Sequence, residues 1–411
     1  MKLFLFFALV VLMSSCTNRE ERTFRTLKHA EANTIDIFAV IKETISIDDF
    51  IEGNVIYINL ELTDNSIIGE FSKVLVEGGL IFVMENGITN QRISIFDKQG
   101  NFISNICARG QGPGEYIAIH DFFVDTKNEL VGIFCHSRRV LMYDFNGNFI
   151  RSINLDDGVR EIIYKDGALH TFSELWCPSN LCNAFRVFDL DGNLLFEDYP
   201  ISRELGRFSL TGFKANTIAS DGKNIFLNSI NSEFIYIMEK KESIPYLRLD
   251  FDRHRMSDRD FMRLVGKGEG SLNEVGRLFN SHYTLFGLKR FFVNRDFIFM
   301  LSRKGRFTYM SIYSRESGNV ITITQAFLGD IDRYNMVLLS SVVAVDNDFF
   351  YAELEAEWLW HLRQEEIRAR ITDENRREEF SSERLRRWDV LLRDLNEDDN
   401  NILVAFRIRP F

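Results

Sequence analysis

Beyond its first residues this chain has no apolar stretch approaching the roughly 18 residues needed to cross a bilayer as a helix. It has no excess of positive charge either: 49 Lys+Arg against 60 Asp+Glu gives 49 − 60 = −11. That balance argues against a general nucleic-acid binder, which would present a basic stripe, and no nucleic-acid partner is expected. Neither Gly-x-Ser-x-Gly nor His-Glu-x-x-His occurs, so two common hydrolase signatures are absent. His29, His120, His136, His170, His254, His282 and His361 fall at no metal-ligand spacing. No catalytic residue, resident metal or cofactor is therefore assigned. Proline is scarce, at 5 residues, yet 45% hydrophobic and 27% charged residues make a globular and not a disordered composition. A chain of 411 residues, 38 of them Phe, can bury a large core without metal or disulfide staples.

The N-terminus reads as an address. Met1-Lys2 is a short positive start, and Leu3 to Met13 is an unbroken apolar run. The run is too short to span a bilayer and suits the apolar region of a secretion signal. It ends in Ser14-Ser15-Cys16, which resembles the bacterial lipobox, where the signal is cut before a Cys that is then lipidated. Met13 stands where Leu is commoner; an ordinary signal peptide with Cys16 incidental is the alternative. The expectation is a signal peptide over 1–15, then a lipidated Cys16 and tether over 16–45, anchored to a membrane without spanning it. Glu20 and Glu21 hint at export to the cell surface.

The body repeats. Phe96-Asp97-Lys98-Gln99-Gly100-Asn101-Phe102 returns as Tyr143-Asp144-Phe145-Asn146-Gly147-Asn148-Phe149 and as Phe188-Asp189-Leu190-Asp191-Gly192-Asn193-Leu194. The glycine spacings are 147 − 100 = 47 and 192 − 147 = 45. A fainter copy is Ile312 to Val320. Each copy is strand, tight turn, strand, because Gly and Asn tolerate the positive φ of hairpin turns. Asp189 to Asn193 superficially resembles a calcium loop, but Pro200 stands where the Glu ligand belongs, so it reads as a hairpin. A period near 45 made of short strands is a propeller-blade period.

Counting strands gives five quartets, then a trio ending in Ile402–Ile408. The orphan strand Val55–Leu62 at the other end can complete it. The fold class is thus all-β: a six-bladed β-propeller over 46–411, closed by an N-terminal strand. Helical periodicity interrupts it twice, at about 252–282 and 358–401.

Between blades one and two stands Arg109-Gly110-Gln111-Gly112-Pro113-Gly114-Glu115-Tyr116, too rich in Gly for a helix or central strand. With Ser66-Ile67-Ile68-Gly69, and with Asp398-Asp399-Asn400-Asn401 before Ile402-Leu403-Val404, it resembles the NHL-like six-bladed β-propeller lipoproteins of Bacteroidota. Asn401 replaces the proline usual there. The resemblance covers about Asp48 to Ile408 and implies a fold and an envelope location but no activity.

The bare N–H groups of the glycine loop offer a cradle for an anion or sugar oxygen, flanked by Arg109 and Gln111; the alternative is a structural turn. By strand count this loop, Arg138-Arg139, the Cys177–Cys182 loop and both helical segments share one face. Arg109, Gln111, Glu115, Tyr116, Arg138 and Arg139 are therefore the candidate ligand-binding residues. Cys177 and Cys182 bracket a short loop and suit a disulfide in an oxidising envelope; Cys107 and Cys135 read as buried thiols. The expected function is capture of a ligand or protein partner on one propeller face, in glycan or peptide uptake with an outer-membrane complex. The alternative is a metal-dependent lactonase-like or lyase-like enzyme with an axial site near Glu85, Asn86, Asp121, His136 and Glu174.

Overall fold

A computed structural model describes residues 32–39, 50–69, 71–87, 91–135, 138–155, 159–173, 181–202, 217–229, 231–265, 287–304, 307–324, 338–361, 363–364 and 395–411. These residues form six sheets: five antiparallel ones of four strands, and one of five that is antiparallel except for an added edge strand. The innermost strands are Lys73–Glu77, Ile119–Asp125, Glu161–Lys165, Ile218–Ser220, Leu288–Val293 and Val342–Val345. Each adjoins the innermost strand of the next blade, and the last adjoins the first. The ring is therefore closed, and the chain is a six-bladed β-propeller. The second and third strands of most blades are apolar on both faces, since each blade packs against a neighbour on either side. Phe82, Phe96, Phe122, Phe185, Phe226 and Phe299 are each fully buried between blades. The abundance of Phe is the filling of those inter-blade layers.

The repeated motif fastens one blade to the next. In blade one, Asp97 Oδ1 accepts from the backbone N–H of Gln99 and Asn101 at 2.8 and 2.9 Å, and Oδ2 accepts from Asn101 Nδ2 at 2.7 Å. Asp144 with Asn148 and Asp189 with Asn193 repeat this pattern. These hydrogen bonds, led by the one from the Asn side chain, hold all three carboxyls below their usual range. Gly100, Gly147 and Gly192 lie at φ of 92°, 83° and 88°. A Cβ on any of them would collide with the backbone carbonyl of Asn59, Asn105 or Asn154, on the outer strand of the preceding blade. Glycine is required twice over here, by the turn and by the close approach. The Asp189 carboxylate accepts its turn donors in the same way and closes a hairpin.

Closure comes from the N-terminus, with shifted bounds. Ile51–Asn59, and not Val55–Leu62, pairs antiparallel with Ile402–Ile408 as the outer and third strands of blade six. A bulge between Glu52 and Ile56, with Gly53 at φ 73°, lets the pairing run on through polar residues that carry no strand signal. Buried Asn400 staples the two chain ends: its Oδ1 accepts from Ile68 N at 2.8 Å, and its Nδ2 donates to Ser66 O at 2.8 Å and Glu61 O at 3.1 Å. The two outlying motifs, Ser66–Gly69 and Asp398–Asn401, thus meet in space.

The segment expected as tether over 16–45 is not a tether throughout. Asn33–Asp36 adds a fifth, parallel strand to the outer edge of blade four, pairing with Leu247–Asp250. Ile35 and Ile37 are buried there, and Phe38 packs edge-on against Phe251, His254 and Tyr309. Cys16, and with it the signal and anchor, lies outside the described residues. Of the two helical segments, Asp252–His254 and Asp258–Val265 are described as helix in the first, and 356–361 with 363–364 at the start of the second. Among the described residues no helix is long and apolar enough to cross a membrane. Cys182 is disulfide-bonded; its expected partner Cys177 lies outside the described residues. Cys135 is a buried thiol, whereas Cys107 is an exposed one, because the outer strand of blade one ends at Ile106.

Candidate functional site

All six innermost strands line one axial channel of about 2330 Å³. Lys73, Asp121, Glu161, Lys289 and Arg290 sit at the entry ends of their strands, so they share one mouth. Asn86, His120, Ser173 and Glu353 line the same end.

On the side of blades one to three the mouth is an interlocked polar network. Lys73 Nζ donates to Asp121 Oδ1 at 2.6 Å and to Phe122 O at 3.0 Å. Asp121 is buried, and its Oδ2 accepts from Ile162 N at 2.7 Å. Glu161 Oε2 in turn accepts from Thr217 N at 2.9 Å. The chain of contacts thus runs across four blades. Burial, then the nearby Asp121 carboxylate, pushes the Glu161 carboxyl up to about 7, despite the backbone donors that favour its ionised form.

Blade five faces blade two across the axis, and its mouth is cationic. A bulge between Leu288 and Arg290 places two residues opposite one. Ordinary alternation would send one of two successive side chains to the other face; with the bulge, both Lys289 and Arg290 line the channel. Burial, then the neighbouring Arg290 and Arg303, holds the Lys289 ammonium below its usual range. Burial likewise lowers Arg290, against a weaker opposing effect from Glu353. Among the described residues neither cation has a hydrogen bond or an ion pair. The Glu353 carboxylate accepts from Asn401 Nδ2 at 2.7 Å.

The glycine loop is elsewhere. None of Arg109, Gln111, Glu115, Tyr116, Arg138 and Arg139 lines the channel. The loop folds over blade two, where Tyr143 Oη donates to Gly114 O at 2.6 Å. Its cradle is filled by its own carboxylate: Glu115 Oε2 accepts from Gly112 N at 2.7 Å, and side chains at Gly110 or Gly112 would crowd it. An external anion has no place there, so the cradle expected from the glycines is a self-capped turn. Tyr116 is a core residue at 1% exposure, with its hydroxyl 3.0 Å from the carbonyls of Gln91 and Ile106. Its place in a Gly-rich motif suggested a surface ligand, but the ring packs in the core of blades one and two. Arg109, Gln111 and Arg138 are exposed, and Arg139 is partly buried.

Of the axial residues considered for an enzyme, Asn86 and Asp121 do line the channel. Asp121 is committed to Lys73, and Glu85 accepts from Arg92 and from Gly69 N. His136 and Glu174 lie outside the described residues. Sequence reasoning missed Lys73, Glu161, Lys289 and Arg290. The available signal was charge at the start of an innermost strand, where a side chain has only the channel to enter. It also missed exposed Glu357, His361 and Glu397, whose ligand atoms lie within 4.8 Å of one another on the second helical segment and just before the last strand.

A family profile described as "Domain of unknown function (DUF4934)" matches residues 32–407, and the chain belongs to that family. A Bacteroides fragilis protein described as exported is similar in structure, with a TM-score of 0.68 at 18% identity over 92% of this chain and 99% of that one. At that identity the likeness supports the fold. A Bacteroides caccae protein of unknown function reaches a TM-score of 0.37 at 12% identity, over 63% of this chain and 84% of that one. BamB of Moraxella catarrhalis reaches 0.35 at 9% identity, over 65% and 63%. No curated protein matches the chain.

Proposed function

We propose that this chain is a lipid-anchored, NHL-like protein of the cell envelope that captures a small ligand at the charged mouth of its axial channel. The observation that carries the binding reading is the channel itself, about 2330 Å³ lined by all six blades, with Lys73, Asp121, Glu161, Lys289 and Arg290 gathered at one mouth. A rigid closed ring holds those side chains in fixed relation, which is what a pre-formed site needs. Export is supported by the apolar run before Cys16 and by the exported description of the Bacteroides fragilis relative. The proposed setting is the outer membrane, on its periplasmic or surface face, with glycan or peptide uptake as the task.

Two measurements test this. Metabolic labelling with an alkyne fatty acid should tag the wild-type chain and not the Cys16→Ser variant. The purified protein should retain a ligand class on glycan and peptide arrays, and an Asp121→Asn variant with its altered mouth should retain it less well. Empty arrays for the wild type, together with no envelope partner captured by crosslinking, would remove the binding reading.

A further inference from the structure

We infer that Lys289 and Arg290 on blade five form an oxyanion subsite, so the ligand of the channel carries a carboxylate or sulfate group. This rests on the channel being the binding site, and it assigns that site a chemistry. Three independent observations converge. The inner strand of blade five is bulged at Lys289, which brings two successive cations to the same channel wall. Among the described residues neither side chain has a hydrogen bond or an ion pair, although Arg290 is half-buried. The carboxylate that acts on Arg290, that of Glu353, is drawn toward Asn401.

A guanidinium presents a fork of donors that suits two oxygens of one anion, and an adjacent ammonium adds a third donor as a point charge. A half-buried guanidinium left without acceptors is a cost to the folded chain, which a bound oxyanion removes. The opposite wall is a poor rival for the same group. There Lys73 is already neutralised by Asp121, and the Glu161 carboxyl offers an anion no positive charge. An elongated acidic ligand would thus lie with its negative end on blade five and its neutral or donor-bearing end toward blades two and three.

The test uses sulfate, D-glucuronate and neutral D-glucose as probes at low ionic strength, read by thermal shift and calorimetry on the full chain lacking its signal peptide. Sulfate and glucuronate should stabilise the wild type, and glucose should not. Arg290→Gln should weaken anion binding roughly tenfold or more, the scale of a lost charge-assisted hydrogen bond. Lys289→Gln, at an exposed position that the fold tolerates, should weaken it less but measurably, which covers the case where the Arg290 variant folds poorly. Lys127→Gln, at the other end of the channel, should bind as the wild type does. A wild type that ignores both anions, or an undiminished response in both blade-five variants, overturns the subsite. If arrays return a neutral ligand whose binding Arg290→Gln leaves unchanged, the channel reading stands and the anion assignment fails.

Discussion

The two halves of the ring are built on one plan and finished differently. In blades one to three a repeated Asp-x-x-Gly-Asn turn seats its glycine against the preceding blade, and the channel charges are tied to one another. In blades four to six that turn fades. Its faint copy at Gly318 has a φ of 75° but nothing within 4 Å of where a Cβ would stand. Long side chains take over the fastening, as where Arg315 reaches Asp221 at 2.9 Å. Blades two and five show the contrast most sharply, because they oppose each other across the axis. Both inner strands bulge at the same point, the first at His120 and the second at Lys289. On blade two the residue after the bulge, Asp121, is bonded to Lys73 and to the Ile162 N–H. On blade five the residue after it, Arg290, is left without a hydrogen bond among the described residues. The regular half is tied from blade to blade, and the irregular half holds two channel cations without a hydrogen bond among the described residues.

Breaking the tied half should have the largest effect. Asp121→Ala strands Lys73 without its carboxylate and leaves the Ile162 N–H without its acceptor. Removing one partner of a buried pair costs about 3–5 kcal/mol, so chemical denaturation should show a loss on that scale. Asp121→Asn, which keeps an acceptor but not the charge, should fall between. A loss under about 1 kcal/mol, the scale of an exposed ion pair, would mean the network is ornamental and the halves are equivalent.

The glycines offer a matched pair. Gly100→Ala meets both a left-handed backbone and the Asn59 carbonyl, so it should cost about 2–4 kcal/mol. Gly318→Ala meets only the backbone conformation, and about 1 kcal/mol is expected. Equal losses in thermal denaturation would erase the distinction between the clasped and unclasped turns.

This contrast also marks what could be read from sequence. The motif that repeats at 47 and 45 residues is legible because every copy must satisfy the same turn and the same neighbour. Closure is legible as an unpaired strand, but its start is not, because Gly53 bulges and the residues around it are polar. The Asn33–Asp36 strand is hidden for a related reason: it is four residues long and polar but for Ile35, and the apolar run Ile37-Phe38-Ala39-Val40-Ile41 after it does not alternate. The glycine loop misleads because its ligand is internal. Gly110 and Gly112 are small to admit Glu115, a residue of the same motif, and nothing local separates that from a cradle for something else. Lys289-Arg290 is invisible as a site because a bulge is a count between two strands, not a property of one.

Glu161 gives the tied half a pH signature. Its carboxyl titrates near 7 in the fold against about 4.5 for a free Glu side chain, so the folded state favours the protonated form. That advantage is fully present below about pH 4.5 and is lost as pH rises through about 7. After allowance for its partial opening to the channel, the Glu161 contribution should fall by on the order of 2 kcal/mol between those limits. Glu161→Gln keeps an acceptor for Thr217 N and should flatten that part of the stability profile. An unchanged profile would place the proton elsewhere.

The smallest effect should carry the opposite sign, and it is the sharpest separator of the two halves. Lys289 and Arg290 repel each other in a partly desolvated wall, and burial lowers both. Neutralising the more exposed of them, by Lys289→Gln, removes that repulsion and breaks no hydrogen bond among the described residues. The variant should therefore be more stable than the wild type at low ionic strength, by about 0.5 kcal/mol, the scale of a partly solvated charge pair. The gain should shrink as salt approaches roughly 1 M, where the screening length is about 3 Å. Added sulfate should remove it sooner than chloride at equal ionic strength, because sulfate would bind the wild type and not merely screen it. A Lys289→Gln variant less stable than the wild type at low salt would mean that the ammonium has a stabilising partner, and blade five would then be as fully tied as blade two.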